Sequence, residues 1–181
     1  MTCARALRSL RVLVLAGAST VVGSAGSGDA RARADRATTS AASAVSTGGF
    51  HTCAVTSAGG VKCWGDNEEG QVADGTTTER DSPVDVAGLT SGVAAVAAGR
   101  LHTCALTSAG GVKCWGDNEY GQLGDGTTLD RHTPVDVSGF PNGVAAVGAG
   151  GSHTCALTAS GGVKCWGDNE YGQLGDRKSV V

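Results

Sequence analysis

The sequence predicts an all-β fold built from propeller-type blades, on three observations: an excess of glycine, a 51-residue internal repeat, and four strand-like segments in each repeat. Glycine supplies 30 of the 181 residues, with 3 Pro and only 3 Trp, 2 Tyr and 2 Phe, and it follows no G-X-Y period. That is more than twice the usual ~7%. Such a chain spends much of its length in tight turns and positive-φ positions, where glycine meets no steric penalty. Collagen is excluded, and coiled-coil and long-helix architectures are disfavoured.

The period is set by His51, His102 and His153, which stand 51 residues apart, as do Cys53, Cys104 and Cys155, then Cys63, Cys114 and Cys165, then Trp64, Trp115 and Trp166. Residues 51–101 and 102–152 agree at 36 of 51 positions, and residues 153–176 match 102–125 at 22 of 24. Copies this similar are one structural unit reused, each covering its neighbour's apolar face. Within one period, residues 83–86, 93–97, 103–107 and 112–116 have strand character and are separated by Gly, Pro, Asn and Asp. Cys104 and Leu106 alternate with Thr103, Ala105 and Thr107 at period two, and no window carries a helical stripe. Four short antiparallel strands per ~50-residue repeat mark a propeller blade. The long connector between Gly116 and Pro134 is expected to carry the chain from the outer strand of one blade to the inner strand of the next. Residues 42–48 align with 93–99, so the first blade is expected to lack its first strand.

Outside the repeats, Arg5, Arg8 and Arg11 precede an apolar stretch of 11 residues, 12–22, too short to span a bilayer. The small residues Gly23, Ser24 and Ala25 follow, so residues 1–25 are expected to be a secretory signal peptide. The mature chain is then secreted or extracytoplasmic, with no stable membrane anchor. Residues 26–41 lack large apolar side chains and are expected to form a disordered linker. Residues 42–176 hold the repeats, and 177–181 break the pattern, as expected of a non-native tail on a truncated reading frame. Between residues 46 and 176 there are 15 acidic and 6 basic residues, a net charge of −9. A body this acidic is repelled by phosphate backbones, so a nucleic-acid partner is not expected.

Six of the seven cysteines are repeat-locked pairs, and the seventh, Cys3, lies in the signal segment. A three-residue hairpin connection at Ser108, Ala109 and Gly110 sets Leu106 opposite Val112 and Cys104 opposite Cys114. Directly opposed cysteines in a non-hydrogen-bonded pair have Cα atoms ~4.5 Å apart, within disulfide reach. The expected bonds are Cys53–Cys63, Cys104–Cys114 and Cys155–Cys165; buried free thiols are the alternative, and the spacing does not suit zinc. His51, His102 and His153 lie a blade apart, too far to share a metal, and are read as structural groups that begin the third strand and bond a neighbouring backbone group. Trp64, Trp115 and Trp166 are read as core residues between blades. The turn at residues 117–122 lacks calcium-loop spacing, and its Asp and Asn suit Asx-turns.

The pattern G-x-x-H-T-C-A-L-T-x-x-G-x-V-x-C-W-G-D-N-x-x-G-Q-L-G-D-G-T, followed by P-V-x-V and V-x-x-V-x-A-G, resembles the repeat of the regulator of chromosome condensation family over residues 42–176. The resemblance implies a β-propeller, typically of about seven blades, of which this chain holds two to three. It also implies a superfamily that includes a nucleotide-exchange factor for a small GTPase and a secreted β-lactamase inhibitor, so fold does not fix function.

The sequence carries no catalytic motif and no nonrepeating cluster of acid, base and nucleophile. A non-catalytic binding module is expected, with no cofactor or metal. Its partner is expected to be a protein or surface glycan, with further blades or self-association completing the fold. A guanine-nucleotide exchange factor and a secreted enzyme inhibitor are the alternatives. The copies diverge mainly in predicted loops, where binding residues concentrate; Tyr120, Tyr171, Leu129, Phe140, Arg100 and Leu101 are the candidate interaction residues. Non-reducing peptide mapping of the exported protein should return the three intra-hairpin pairs, and alkylation of all six repeat cysteines without reductant would show that they are not bonded.

Overall fold

The computed structural model describes residues 41–176. The signal-peptide segment 1–25, the linker but for its last residue, and the tail 177–181 lie outside the described residues. Eleven strands follow in order: β1 Ala42–Thr47, β2 His51–Thr56, β3 Val61–Gly65, β4 Arg80–Asp85, β5 Val93–Ala98, β6 His102–Thr107, β7 Val112–Gly116, β8 Arg131–Asp136, β9 Val144–Ala149, β10 His153–Thr158 and β11 Val163–Gly167. They form three antiparallel sheets: β1-β2-β3-β4, β5-β6-β7-β8, and β11-β10-β9.

The hairpin register follows from the turn. Thr107 N–H donates to the Gly111 carbonyl at 2.8 Å, and Gly110 closes the turn at φ 81°, a conformation that favours glycine. Leu106 then faces Val112 and Cys104 faces Cys114. The same register recurs at Cys53 and Cys63 and at Cys155 and Cys165. Each pair lies at disulfide-bonding distance, S–S 2.08 to 2.11 Å, with Cα atoms 4.1 Å apart.

The blade boundaries differ from expectation. Residues 117–130 do not cross to the next blade; they fold back so that β8 pairs with β7 in the same sheet. The Pro-Val-Asp strand is therefore the outermost, fourth strand of its own blade and not the first of the next. It begins at Arg80 and Arg131, upstream of the expected Pro83, and ends before Val86. An outermost strand suits Pro83 and Pro134, which cannot donate to a ladder. Lys62 and Lys113 fasten it through Asp85 and Asp136, both at 2.7 Å. It also follows that the first sheet has all four strands, β1 included, whereas the third shows three among the described residues.

The core lies between sheets. Cys53, Val55 and Val61 of the first sheet, with Val72, Val86 and Leu89 from the loops beside it, meet Val93, Ala105 and Trp115 of the second. Cys104, Leu106 and Val112 of the second, with Leu123, Val137 and Phe140 from its loops, meet Val144 and Ala156 of the third, with Trp166 packed alongside. The period-two alternation of β6 thus serves two cores, one on each face. A sheet buried on both faces explains why nearly every residue of β6 is inaccessible.

Candidate functional site

Each pair of neighbouring sheets is joined by one polar cluster. Trp115 Nε1–H donates to the backbone carbonyl of Gln71 in the preceding blade at 2.8 Å, and Thr103 Oγ1–H donates to the same oxygen at 3.2 Å. The Thr103 oxygen accepts in turn from His51 Nε2, 2.7 Å away. The cluster repeats one blade on: Trp166 and Thr154 donate to the Gln122 carbonyl at 2.9 and 2.8 Å, and His102 Nε2 meets Thr154 Oγ1 at 3.0 Å. A threonine hydroxyl has one hydrogen, already given to the glutamine carbonyl, so Nε2 must carry the imidazole proton. That leaves Nδ1 of His51 and His102 as buried acceptors without a partner. Burial, aided for His102 by the neighbouring His51 and His153, lowers both imidazoles from 6.5 to about 4, with Asp66 opposing the shift at His51. A Cβ on Gly99 would overlap the His102 ring and the Gly150 carbonyl, which accounts for the G-x-x-H spacing.

The histidines therefore begin the second strand of each sheet, not the third, and His51 and His102 bond a threonine side chain of the next blade, not a backbone group. The correction follows from the shifted blade boundary. Trp115 is fully buried between blades and Trp166 partly so; Trp64, on the leading face of the first sheet, is half-exposed.

The loops at this end of the blades are built from the inside. Asn118 is fully buried; its Nδ2 donates to the carbonyls of Thr127 and Leu129 at 3.0 and 3.1 Å, and its Oδ1 accepts from Leu123 N–H at 2.9 Å. Asp117 Oδ1 accepts from Glu119 N–H at 3.0 Å, an Asx-turn, and Oδ2 accepts from Gln122 Nε2 at 2.8 Å. Burial alone would raise the Asp125 carboxyl, but the Thr127 hydroxyl and amide and the Arg131 guanidinium hold it below the usual range. Asn67, Asp66, Gln71, Asp74 and Arg80 repeat the scheme in the first blade. These side chains set loop shape.

Loops 99–101 and 117–130 leave the same end of their sheet, so Arg100, Leu101, Tyr120 and Leu129 share one face. Tyr171 takes the corresponding place in the third repeat. Arg100, Tyr120, Leu129 and Tyr171 are exposed and Leu101 is half-buried. Two recesses open at this end of the sheets: one of about 370 Å³ lined by Glu69, Leu101, Asp117, Glu119, Thr128 and Asp130, and, at the equivalent place one blade earlier, one of about 490 Å³ lined by Phe50, Gly65, Asp66, Glu68 and Glu79. Burial, then the charges of Asp130, Asp117, Glu68 and Asp66, push the Glu69 carboxyl above its ordinary value. This acidic crowding was not among the sequence-based candidates. Its signal was present, since Asp66, Glu68, Asp117 and Glu119 recur at fixed repeat positions.

Phe140 corrects the opposite way. It lies at the other end of the sheet and is only 8% exposed, its ring stacked on Trp166 with centroids 5.5 Å apart and Lys164 Nζ 5.3 Å from its centroid. The Leu89-to-Phe140 difference between copies is a change of core volume, not of a binding loop.

The Regulator of chromosome condensation (RCC1) repeat profile matches residues 58–106 and 109–157, and a second profile of the same description matches 42–71, 93–122 and 144–173. The chain is 36% identical over 134 residues to human probable E3 ubiquitin-protein ligase HERC4, covering 72% of this chain but 13% of that protein. Human WBSCR16 superposes with a TM-score of 0.70 at 29% identity, over 80% of this chain and 37% of that one. Prp20p from Saccharomyces cerevisiae, described with its binding to Gsp1p and histones, superposes at 0.63 and 26% identity, over 74% of this chain and 34% of that one. The chain thus spans a fraction of each relative, and its three sheets are an incomplete β-propeller.

The buried imidazoles give the fold a pH dependence whose sign is fixed. Unfolded histidine titrates near 6.5 and His51 and His102 near 4 when folded, so the unfolded chain binds more protons in between. Their contribution is full above pH 6.5 and is lost as pH falls towards 4. Urea unfolding should show stability dropping across that window by up to about 1.4 kcal/mol per pH unit for each histidine; a flat profile would contradict the neutral, buried assignment.

Proposed function

Because the chain belongs to the regulator of chromosome condensation (RCC1) repeat family, we propose that it is a non-catalytic module that binds a protein partner on the face carrying Arg100, Leu101, Tyr120, Leu129 and Tyr171. The observation that carries this reading is the pairing of exposed apolar and aromatic side chains with carboxylate-lined recesses on one face. Aromatic and apolar anchors supply affinity at such surfaces, and complementary charge supplies steering and specificity.

The partner is cationic where it enters the recesses. Seven carboxylates, Asp66, Glu68, Glu69, Glu79, Asp117, Glu119 and Asp130, line them, and the repeat body has net charge −9. A lysine or arginine placed there would offset the charges of Asp130, Asp117, Glu68 and Asp66, which add to burial in raising the Glu69 carboxyl. Binding of Gsp1p and histones by Prp20p supports a protein as the ligand class. The module works outside the reducing cytoplasm on this reading, supported by three cysteine pairs at bonding distance and by the basic and apolar run at the N-terminus.

Affinity capture with the oxidised protein, followed by titration of the purified partner, tests the assignment. Tyr120→Ala with Leu129→Ala should weaken binding about tenfold or more, Glu69→Lys with Glu119→Lys should weaken it and flatten its salt dependence, and Pro141→Ala with Asn142→Ala, at the opposite end, should leave it unchanged. Loss confined to the opposite-end variant would overturn the choice of face.

A further inference from the structure

We propose that Asn142 is a site of spontaneous covalent modification, its side-chain amide closing on the Gly143 nitrogen and reopening as an isoaspartate that loosens the contact between the second and third sheets. The inference is independent of the loop face proposed above and concerns the opposite end of the sheets.

The chain has four asparagines, Asn67, Asn118, Asn142 and Asn169, and only Asn142 is followed by glycine. The other three precede glutamates and are buried. Their amides are held on both sides: Oδ1 accepts from the backbone N–H of Val72, Leu123 and Leu174, and Nδ2 donates to the carbonyls of Thr78 and Leu129 and to the Asp176 carboxylate. Asn142 and Gly143 are exposed. Among the described residues the Gly143 N–H meets no backbone acceptor, although the Gly143 carbonyl accepts from Ala159. A Cβ on Gly143 would meet nothing within 4 Å, so a ring and an incoming water have room there. Its φ is 79°, and a glycine backbone leaves that region at little cost, which lets its nitrogen swing towards Cγ of Asn142.

Two comparisons within the chain sharpen the assignment. Ser91 and Gly92 hold the same repeat positions between the first and second sheets and are also exposed; Ser91 has no amide to lose, so only one of two equivalent contacts is modified. Asp74–Gly75 and Asp125–Gly126 are also acid-glycine pairs capable of ring closure, but Thr76 and Arg80, or Thr127 and Arg131, tie their carboxylates down.

In the first step the Gly143 nitrogen bonds to Cγ of Asn142, the Cγ–Nδ2 bond breaks, and the Gly143 amide proton leaves with Nδ2 as ammonia. The product is a five-membered imide. Water then adds to one of its two carbonyl carbons and the bond from that carbon to nitrogen breaks. Opening at Cγ gives aspartate; opening at the Asn142 backbone carbon gives isoaspartate, whose main chain runs through Cβ and Cγ and is one carbon longer. Nothing is oxidised or reduced.

The extra carbon falls where the sheets are stitched. The Phe140 carbonyl accepts from Val112 at 3.2 Å, Val144 N–H donates to the Gly110 carbonyl at 2.9 Å, and Ala159 N–H donates to the Gly143 carbonyl at 2.8 Å. Only Pro141 and Asn142 separate Phe140 from Gly143, so a longer main chain displaces one of these anchors.

The test holds the oxidised 181-residue chain at mildly alkaline pH, folded or in urea, and maps its peptides by mass spectrometry with electron-transfer fragmentation to score isoaspartate. The peptide holding Asn142 should gain the mass of an amide-to-acid exchange in the folded chain about as fast as in urea, with isoaspartate exceeding aspartate. Those holding Asn67, Asn118 and Asn169 should gain it only in urea. Asn142→Ser and Asn142→Gln should lose the gain altogether. The isoaspartate form, separated by ion exchange, should unfold at lower urea than the unmodified chain, whereas Asn142→Asp, which brings the charge without the extra carbon, should not. An Asn142 that stays intact in the folded chain, equal conversion of the buried asparagines there, or an isoaspartate form as resistant to urea as Asn142→Asp would each overturn the proposal.

Discussion

Two backbone oxygens, those of Gln71 and Gln122, fix how one sheet sits on the next. Each accepts from the tryptophan indole and the threonine hydroxyl of the following blade, and a histidine of its own blade completes the chain of bonds through that hydroxyl. Apolar packing between twisted sheets is non-directional and tolerates sliding. Hydrogen bonds in a water-free interface do not, because a one-residue slip would leave an indole, a hydroxyl and a carbonyl unpaired at about 1–3 kcal/mol each. The cysteine pair in each hairpin, at disulfide-bonding distance, lies between the histidine strand and the tryptophan strand and marks the register in which both arrive at the interface.

The same arrangement positions the loop face. Gln71 and Gln122 stand inside loops whose shape is set by buried Asn67 and Asn118, so the oxygen that latches the next blade and the loop that displays Tyr120 and Leu129 belong to one rigid segment. Carboxylates not spent on loop hydrogen bonds, Glu69 and Glu119 among them, face the recesses. Loop display is thus tied to blade stacking.

Much of this was legible in the residues, and the failures have physical causes. Cysteine spacing and a glycine turn specify the hairpin register, because both depend on local geometry alone. The fold-back of residues 117–130 was not legible, since it rests on buried asparagine bonds to carbonyls of Thr127 and Leu129, which a linear pattern does not reveal. Misplacing that loop moved the Pro-Val-Asp strand to the wrong blade and hid the threonine partners of His51 and His102. Phe140 failed for a related reason: a divergent aromatic next to Pro141 and Gly139 resembles an exposed loop anchor, yet Trp166, 26 positions on, makes its site a core. Tyr120, Tyr171 and Leu129 were legible as exposed because polar and glycine neighbours leave them nothing to pack against.

The coupling between His51 and Thr103 across the first inter-sheet contact tests this structure most directly. A double-mutant cycle with His51→Ala and Thr103→Val, read by urea unfolding at neutral pH, should return a coupling free energy of about 1 kcal/mol or more, as expected for residues sharing one buried network. Strict additivity of the two single changes would mean that the histidine and the threonine are not joined across the blades, and the latch would not be what registers them.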